Sequence, residues 1–374
     1  MRPDHAGPRL ETGTDGSPAG TVPAVKGRRR LQGIALTVAV GAIGGTIFYL
    51  LHLPLAWMLG AMCATTLAAL AGAPLRMPRP VRSAMVAVLG TLLGSSFTPQ
   101  VLGQLVHWAA AAVAILGYVV LATTLVTHFF HRLGGFDRVT AFFSATPGGL
   151  GEMALVGEAS GGDPRRIALS HATRILILVF VLPFYLRDVA GLPIGASAGP
   201  IGGRPVASLL ELSILALAAG VGFYVARLVR IPSAQLLGPL AFSAAIYLLD
   251  IVQGGPPWQL VAGAQVVVGA AVGARFVGLD FRALGKAVLL AVGASAIMLL
   301  LAVGYAEAMA PLLGIDHHVL LLALAPGGLA EMALIALSLH YDAAFVSTLH
   351  LCRVMSIVLL APLLFRWLGW RTAT

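Results

Sequence analysis

The sequence predicts an all-α polytopic membrane protein: two inverted repeats of about five transmembrane helices, each with one re-entrant or broken Pro-Gly-Gly element. Three observations lead there. The 374-residue chain is 58% hydrophobic and 10% charged, with a mean hydropathy of +0.91, where a soluble domain carries roughly 25% charged residues. One run is written twice: Pro147–Leu155 and Pro326–Leu334 agree at eight of nine positions, at a spacing of 179 residues. The lysines and arginines, finally, sort onto one side of the membrane only if both Pro-Gly-Gly stretches enter and leave on the same side.

Taken in order, residues 1–26 form a tail rich in Gly, Pro and Thr, too polar to bury and expected to be a disordered cytoplasmic segment. Lys26 and Arg28 to Arg30 precede a span at Leu31–Leu51. Its apolar part is too long for a signal peptide and no small-residue cleavage pattern follows, so it is expected to be retained. Further apolar spans are expected at Leu55–Ala73, Ser83–Phe97, Leu105–Phe130 and Ile167–Leu186. Those four, with the first, make repeat 1, residues 27–190; a linker covers 191–205. Repeat 2, residues 206–374, offers Val206–Ala226, Ala234–Leu249, Leu260–Val277, Ala287–Ala310 and Phe345–Leu364. Two stretches remain, Val139–Arg166 and His318–Phe345. Each is longer than the ~20 residues one crossing needs, and as a hairpin two legs of ~13 residues would each reach ~20 Å.

Charge placement favours the hairpin. If both stretches crossed fully, the flanking basic residues would scatter over both faces. If both are re-entrant, only Arg187 and Arg204 fall outside. Five crossings per half then turn the second half upside down, with both termini cytoplasmic. The formal net charge of +9 belongs to these loops rather than to a nucleic-acid surface. Cys63 and Cys352 sit in apolar spans and suggest neither a disulfide framework nor a thiol metal site.

The candidate solute and ion site follows from the duplication. Gly148, Gly149, Gly327 and Gly328 break the helix inside apolar surroundings. Backbone groups freed there must face protein or a wet cavity. The helices that restart point their positive ends inward, where an anion is favoured. Glu152 and Glu331 follow by about one turn and suit a proton or sodium site. His171 with Arg174, and His350 with Arg353, share helix faces on the next spans. Glu152–Arg174 and Glu331–Arg353 are the expected ion pairs, within or between repeats; ion pairs that merely staple two bundles together are the competing explanation. Ser144, Thr146, Thr173, Ser347, Thr348 and Ser356 flank these charges, although such hydroxyls more often bond their own backbone. Gly90 with Gly94, and Gly269 with Gly273, read first as close helix crossings and second as backbone contacts to solute. The tryptophans read mostly as interfacial anchors, Asp250 as a loop residue and Glu307 as a minor relay. The ten histidines hold no His-Glu-x-x-His pattern, and adjacent His317 and His318 would diverge on a helix. No metal site, catalytic set or cofactor is expected beyond a coupling proton or sodium ion.

The segments Thr146–Met153 and Ala325–Met332 resemble the bacterial AbrB-type duplicated membrane protein family, over nearly the whole chain from about Leu31 to Trp367. Its members carry labels of transcriptional regulator or ammonia monooxygenase. The resemblance implies an inner-membrane location and a link to regulation of gene expression; it supplies no catalytic residues. A direct DNA reader needs ~600 Å² or more of soluble interface, which a ~25-residue tail and short loops do not provide. A monooxygenase needs a copper or iron constellation, and none is written. The layout is also similar to inverted-repeat cation/proton antiporters and anion carriers, a fold-level analogy; homodimers are common among such folds. Three functions are therefore carried forward: an ion-coupled carrier of a small, anionic organic solute; a membrane sensor that binds a solute without moving it and acts indirectly on gene expression; and, last, a membrane oxidoreductase. The partners expected are the lipid bilayer and the solute, with no direct nucleic acid.

Overall fold

The computed structural model describes residues 23–104, 106–192, 204–278 and 281–367. Apart from Pro23–Lys26, which begin the first helix, the expected N-terminal tail lies outside the described residues, as does most of the linker. The described chain is helical, with one isolated bridge between Val206 and Gly255.

Among the described residues fifteen helices follow one another: α1 Pro23–Leu50, α2 Ala56–Leu70, α3 Arg79–Gly94, α4 Pro99–Gln104, α5 Trp108–Arg132, α6 Arg138–Ala145, α7 Leu150–Ala159, α8 Pro164–Phe184, α9 Leu209–Leu228, α10 Ala234–Leu248, α11 Trp258–Gly273, α12 Phe281–Leu313, α13 His317–Leu324, α14 Leu329–Ser338 and α15 Ala343–Trp367. A π turn at Tyr185–Val189 extends α8 and a 3-10 turn at Ala274–Phe276 extends α11. Six of these segments are long and apolar enough to cross a membrane: Arg30–Leu50, Trp108–Arg132, Pro164–Val189, Leu209–Leu228, Trp258–Phe276 and Gly285–Leu313. With several shorter apolar helices beside them, they make this a polytopic membrane protein in architecture.

Local geometry recurs with the sequence. His52 and Leu55 take positive φ before α2, and Arg230 and Ser233 do the same before α10. Four aspartates start helices at matching places. Asp137 caps α6 and Asp163 caps α8; Asp316 caps α13 and Asp342 bonds the Phe345 N–H at the start of α15. Each accepts from backbone N–H groups that the first turn leaves unpaired.

Glycine governs the packing. A Cβ on Gly60 would run into the Gly44 carbonyl, and one on Gly238 into the Gly222 carbonyl, so α1 lies backbone-to-backbone on α2 and α9 on α10. Gly90 abuts the Leu236 carbonyl and Gly269 the Met58 carbonyl; Gly94 sits against Ser243 and Ala244, and Gly273 against Thr65 and Thr66. These four glycines thus serve as close helix crossings. Helix α3 runs along α10 in the other half, and α11 along α2. The two halves are laced together rather than set side by side.

The other meeting line joins α5 and α12. Tyr118 Oη donates to the Met298 carbonyl at 3.0 Å and Tyr305 Oη to the Ala114 carbonyl at 2.9 Å. The partners' numbers rise on one helix as they fall on the other, so the two helices run antiparallel. Trp108 begins α5, at a span end, and is 6% exposed, packed edge-on against Phe345.

Candidate solute and ion site

Each Pro-Gly-Gly stretch folds as a helical hairpin. In the first, α6 enters, the chain turns at Pro147-Gly148-Gly149, and α7 returns. The backbone N–H of Asp163 donates to Thr140 Oγ1 at 2.8 Å, closing the base. Gly157 lies against Phe143, and Gly162 against Val139. Residues after the turn therefore lie level with residues before it, which a straight crossing forbids. The second stretch, α13 and α14 around Pro326, packs in the same way against α15. The legs are shorter than expected, at 8 and 10 residues in both hairpins. At 1.5 Å per residue they reach ~12–15 Å, about the middle of a ~30 Å core.

Helices α8 and α15 carry the His–Arg pairs past these tips. His171 Nε2 meets the Phe143 carbonyl at 2.9 Å, and His350 Nε2 meets the Leu322 carbonyl at 2.9 Å. A carbonyl only accepts, so each ring carries its hydrogen on Nε2. That leaves Nδ1 to accept from Arg174 Nη2 at 2.8 Å and from Arg353 Nη2 at 3.2 Å. Both ring nitrogens are therefore used, and both histidines are fully buried; they position the arginines.

The expected Glu–Arg pairs are absent. Among the described residues no ion pair joins Glu152 or Glu331 to a basic side chain. Arg353 instead donates to the carbonyls of Leu324 at 3.1 Å and Ala325 at 2.9 Å, with Gly327 at 3.4 Å. Arg174 reaches the Ser144 carbonyl only at 3.5 Å and Met298 Sδ at 4.0 Å. The reason is local. Each glutamate is the third residue of a returning helix, and its carboxylate folds back over the N-cap glycine, Gly149 or Gly328. Each arginine approaches from beyond the end of the entering helix, where unpaired carbonyls concentrate partial negative charge. Arg275, on the 3-10 turn after α11, is the base within electrostatic reach of Glu331 and of His171.

Arg174, Arg353, Glu331, Ser144, Thr173 and Ser347 are all buried, while Glu152 is half-buried. Thr146 bonds its own helix at the Phe142 carbonyl. The hydroxyls of Ser144, Thr173 and Ser347, and the Nε atoms of both arginines, have no partner among the described residues. Tyr118 lies within electrostatic reach of both arginines. Sequence reasoning missed Tyr118 and Arg275 because neither recurs: the matching positions hold Ile297 and Ser96.

A model of the family described as "Transition state regulatory protein AbrB" matches residues 57–369. The chain belongs to the AbrB family. Among relatives, this AbrB-family chain is 27% identical over 358 residues to "Uncharacterized protein YhjN" of Bacillus subtilis (strain 168), covering 88% of this chain and 92% of that one. It is 28% identical over 331 residues to "Putative regulator AbrB" of Escherichia coli (strain K12), covering 86% and 92%.

Other features of the AbrB-family chain lie apart from the tips. A cavity of about 810 Å³ between α3 and α9 is lined mainly by apolar side chains, together with Arg79, Ser83, Thr91 and Arg227, and includes none of the candidate residues. His317 and His318 do not diverge: their rings lie 3.8 Å apart, and with Asp316 they bring three ligand-type atoms within 4.8 Å of one another. Glu307 sits 3.7 Å from His317 at the exposed mouth of the second hairpin rather than at depth. Glu211 closes a capping box with Ser208 and accepts from the backbone of Gln253 and Gly254, a structural clamp.

Proposed function

We propose that this protein is an ion-coupled secondary transporter of a small organic anion in the bacterial inner membrane. The observation that carries the proposal is the pair of buried guanidinium groups, Arg174 and Arg353, with no carboxylate paired to either among the described residues. A buried cation costs several kcal/mol unless compensated. The carbonyls at the ends of α6 and α13 satisfy only part of each guanidinium, since neither Nε has a partner among the described residues, and they supply only about half a charge each. A solute anion would complete the compensation.

The two repeats are taken as inverted, with both termini cytoplasmic. Supporting this, α5 and α12 hold equivalent places yet run antiparallel, and the hairpins follow the C-terminal ends of these two helices. The hairpins then enter from opposite sides and their tips approach the middle, the arrangement on which many carriers build a midplane site. In addition, Arg79 and Arg227 line one cavity. Helix α3 is parallel to α10, and α10 turns back from α9, so these two arginines share one face of the membrane.

Coupling has a simple electrostatic form. Three bases, Arg174, Arg275 and Arg353, and two carboxylates, Glu152 and Glu331, belong to the centre, with Arg275 in electrostatic reach of Glu331, and helix ends of opposite sign cancel. A proton or sodium ion on either glutamate makes the centre more positive and draws the anion in; release of the cation reverses this. Gly148, Gly149, Gly327 and Gly328 keep the backbone open at the tips. No other cofactor, no enzymatic step and no nucleic-acid contact is proposed; a homodimer in lipid is the proposed assembly.

The test is uptake of labelled mono- and dicarboxylates into proteoliposomes under an imposed proton or sodium gradient. Gradient-driven accumulation that disappears in Glu152→Gln and Glu331→Gln, with folding intact, is expected. The family's description and the name of the Escherichia coli relative favour a second possibility, a membrane sensor acting indirectly on gene expression. Binding without flux would select it. Copper, iron or zinc in the purified protein would instead point to the oxidoreductase.

A further inference from the structure

The mouth of the first hairpin holds a second polar site. A bowl of about 520 Å³ at the C-terminal end of α5 is lined by Thr123, Thr127, His128, His131, Arg132 and Arg138, among others, and by no carboxylate. Its floor is made of hydroxyls. Thr123 and Thr127 are each 9% exposed, and neither Oγ1 has a partner among the described residues. Their neighbour Thr124 behaves as a lone threonine in a membrane helix usually does, donating to the Val120 carbonyl at 2.7 Å. The two floor hydroxyls forgo that bond. Buried donors in native proteins are rarely left unpaired. His131 is held from below, its Nδ1 2.8 Å from the Phe136 carbonyl, which makes Nδ1 the donor and leaves Nε2 as its other polar atom.

The duplication provides an internal control. At the matching register of α12, the places of Thr123, Thr127, His128, His131 and Arg132 are taken by Ala302, Ala306, Glu307, Ala310 and Pro311. Ala302, Ala306 and Ala310 are buried in the apolar core. The fold therefore needs neither hydroxyls nor bases here, and repeat 2 places a carboxylate at the same register. The lining of the bowl is particular to repeat 1.

We infer that this bowl binds a small oxyanion, carrying phosphate or carboxylate chemistry, between the Arg132 and Arg138 guanidinium groups above and the Thr123 and Thr127 hydroxyls below. Guanidinium groups suit planar and tetrahedral oxyanions, and the threonines supply neutral donors at depth. Transport is not required: a sensor or a carrier would hold the ion equally well. The bowl lies at a membrane edge, so the oxyanion can be a free solute or a phospholipid headgroup.

The experiment uses the full chain. Inorganic phosphate and succinate are titrated calorimetrically into purified protein in zwitterionic detergent. In parallel, nanodiscs of phosphatidylglycerol or phosphatidylcholine are compared for retained anionic lipid. The test variant is T123A/T127A, which copies the alanines of repeat 2 and should leave the melting temperature within a few degrees; R132Q is the second. Saturable phosphate or succinate binding, weakened about tenfold or more by T123A/T127A, supports a free oxyanion. Phosphatidylglycerol retention lost in the same variants supports a headgroup. No saturable binding of any probe, or binding that neither T123A/T127A nor R132Q weakens, overturns the inference.

Discussion

Arg174 and Arg353 occupy equivalent places but are held differently, and that difference can be measured. Arg353 donates two short bonds to the end of α13, at 2.9 and 3.1 Å. Bonds to a charged group contribute about 1.5–3 kcal/mol each. Arg353→Met forfeits both and leaves buried carbonyls unpaired, against the several kcal/mol of cation burial that methionine avoids. A net loss of about 2–4 kcal/mol follows, or roughly 2–5 °C in melting temperature for a chain of this length. Arg174 has no carbonyl nearer than 3.5 Å; its short contact is to His171. Arg174→Met therefore removes a buried charge at little structural cost, and its stability should stay within ~1 kcal/mol of the parent. The assay is thermal unfolding in detergent, with and without whichever organic acid stabilises the parent protein. Arg353→Met should melt well below Arg174→Met, and neither should respond to the acid. Equal melting temperatures would refute the account of how the tips are held. A full response to the acid in Arg174→Met would refute its role in binding.

Further consequences are as direct. Gly273→Val drives a side chain into Thr65 and the Thr66 backbone, whereas Gly220 has nothing within 4 Å of an added Cβ; the first should cost ~1–3 kcal/mol or more and Gly220→Val should cost far less, read by thermal unfolding. With Cys63 and Cys352 replaced by serine, Val139→Cys with Gly162→Cys should cross-link on mild oxidation, because a Cβ on Gly162 lies 3.1 Å from Val139 Cγ1; a straight crossing predicts no product. Asp163→Ala removes the cap of α8, with bonds at 2.9 and 3.3 Å to the Arg165 and Arg166 N–H groups, and should lower stability by ~1 kcal/mol in the same assay.

Much of the architecture was legible because the chain states it twice. Two copies of Pro-Gly-Gly-Leu-x-Glu-Met-Ala-Leu at one spacing mark the hairpin tips, and basic residues on the loops already favour a hairpin over a crossing. The small-residue pairs Gly90/Gly94 and Gly269/Gly273 announce close crossings, though not that each lies against the opposite half. The ion pairs were not legible. Arg353 spends its donors on main-chain carbonyls, which every residue carries and no sequence pattern reports. Glu152 folds onto its own N-cap glycine, a choice set by backbone direction. Tyr118 and Arg275 escaped because searching by repetition discards whatever occurs once. The bowl on α5 is likewise defined by its difference from α12; His128 and His131 on one helix face were visible in the sequence, but the threonine floor beneath them was not.

The sidedness of the two hairpin mouths tests the central claim most directly. In a background with Cys63 and Cys352 replaced by serine, single cysteines at Arg165, beside the base of the first hairpin, and at His340, beside that of the second, would be probed in intact cells with a membrane-impermeant maleimide. The account predicts that Arg165→Cys is protected until the cells are opened, while His340→Cys is labelled from outside. Labelling of both from the same face would contradict it, since tips that enter from one side cannot meet across the membrane.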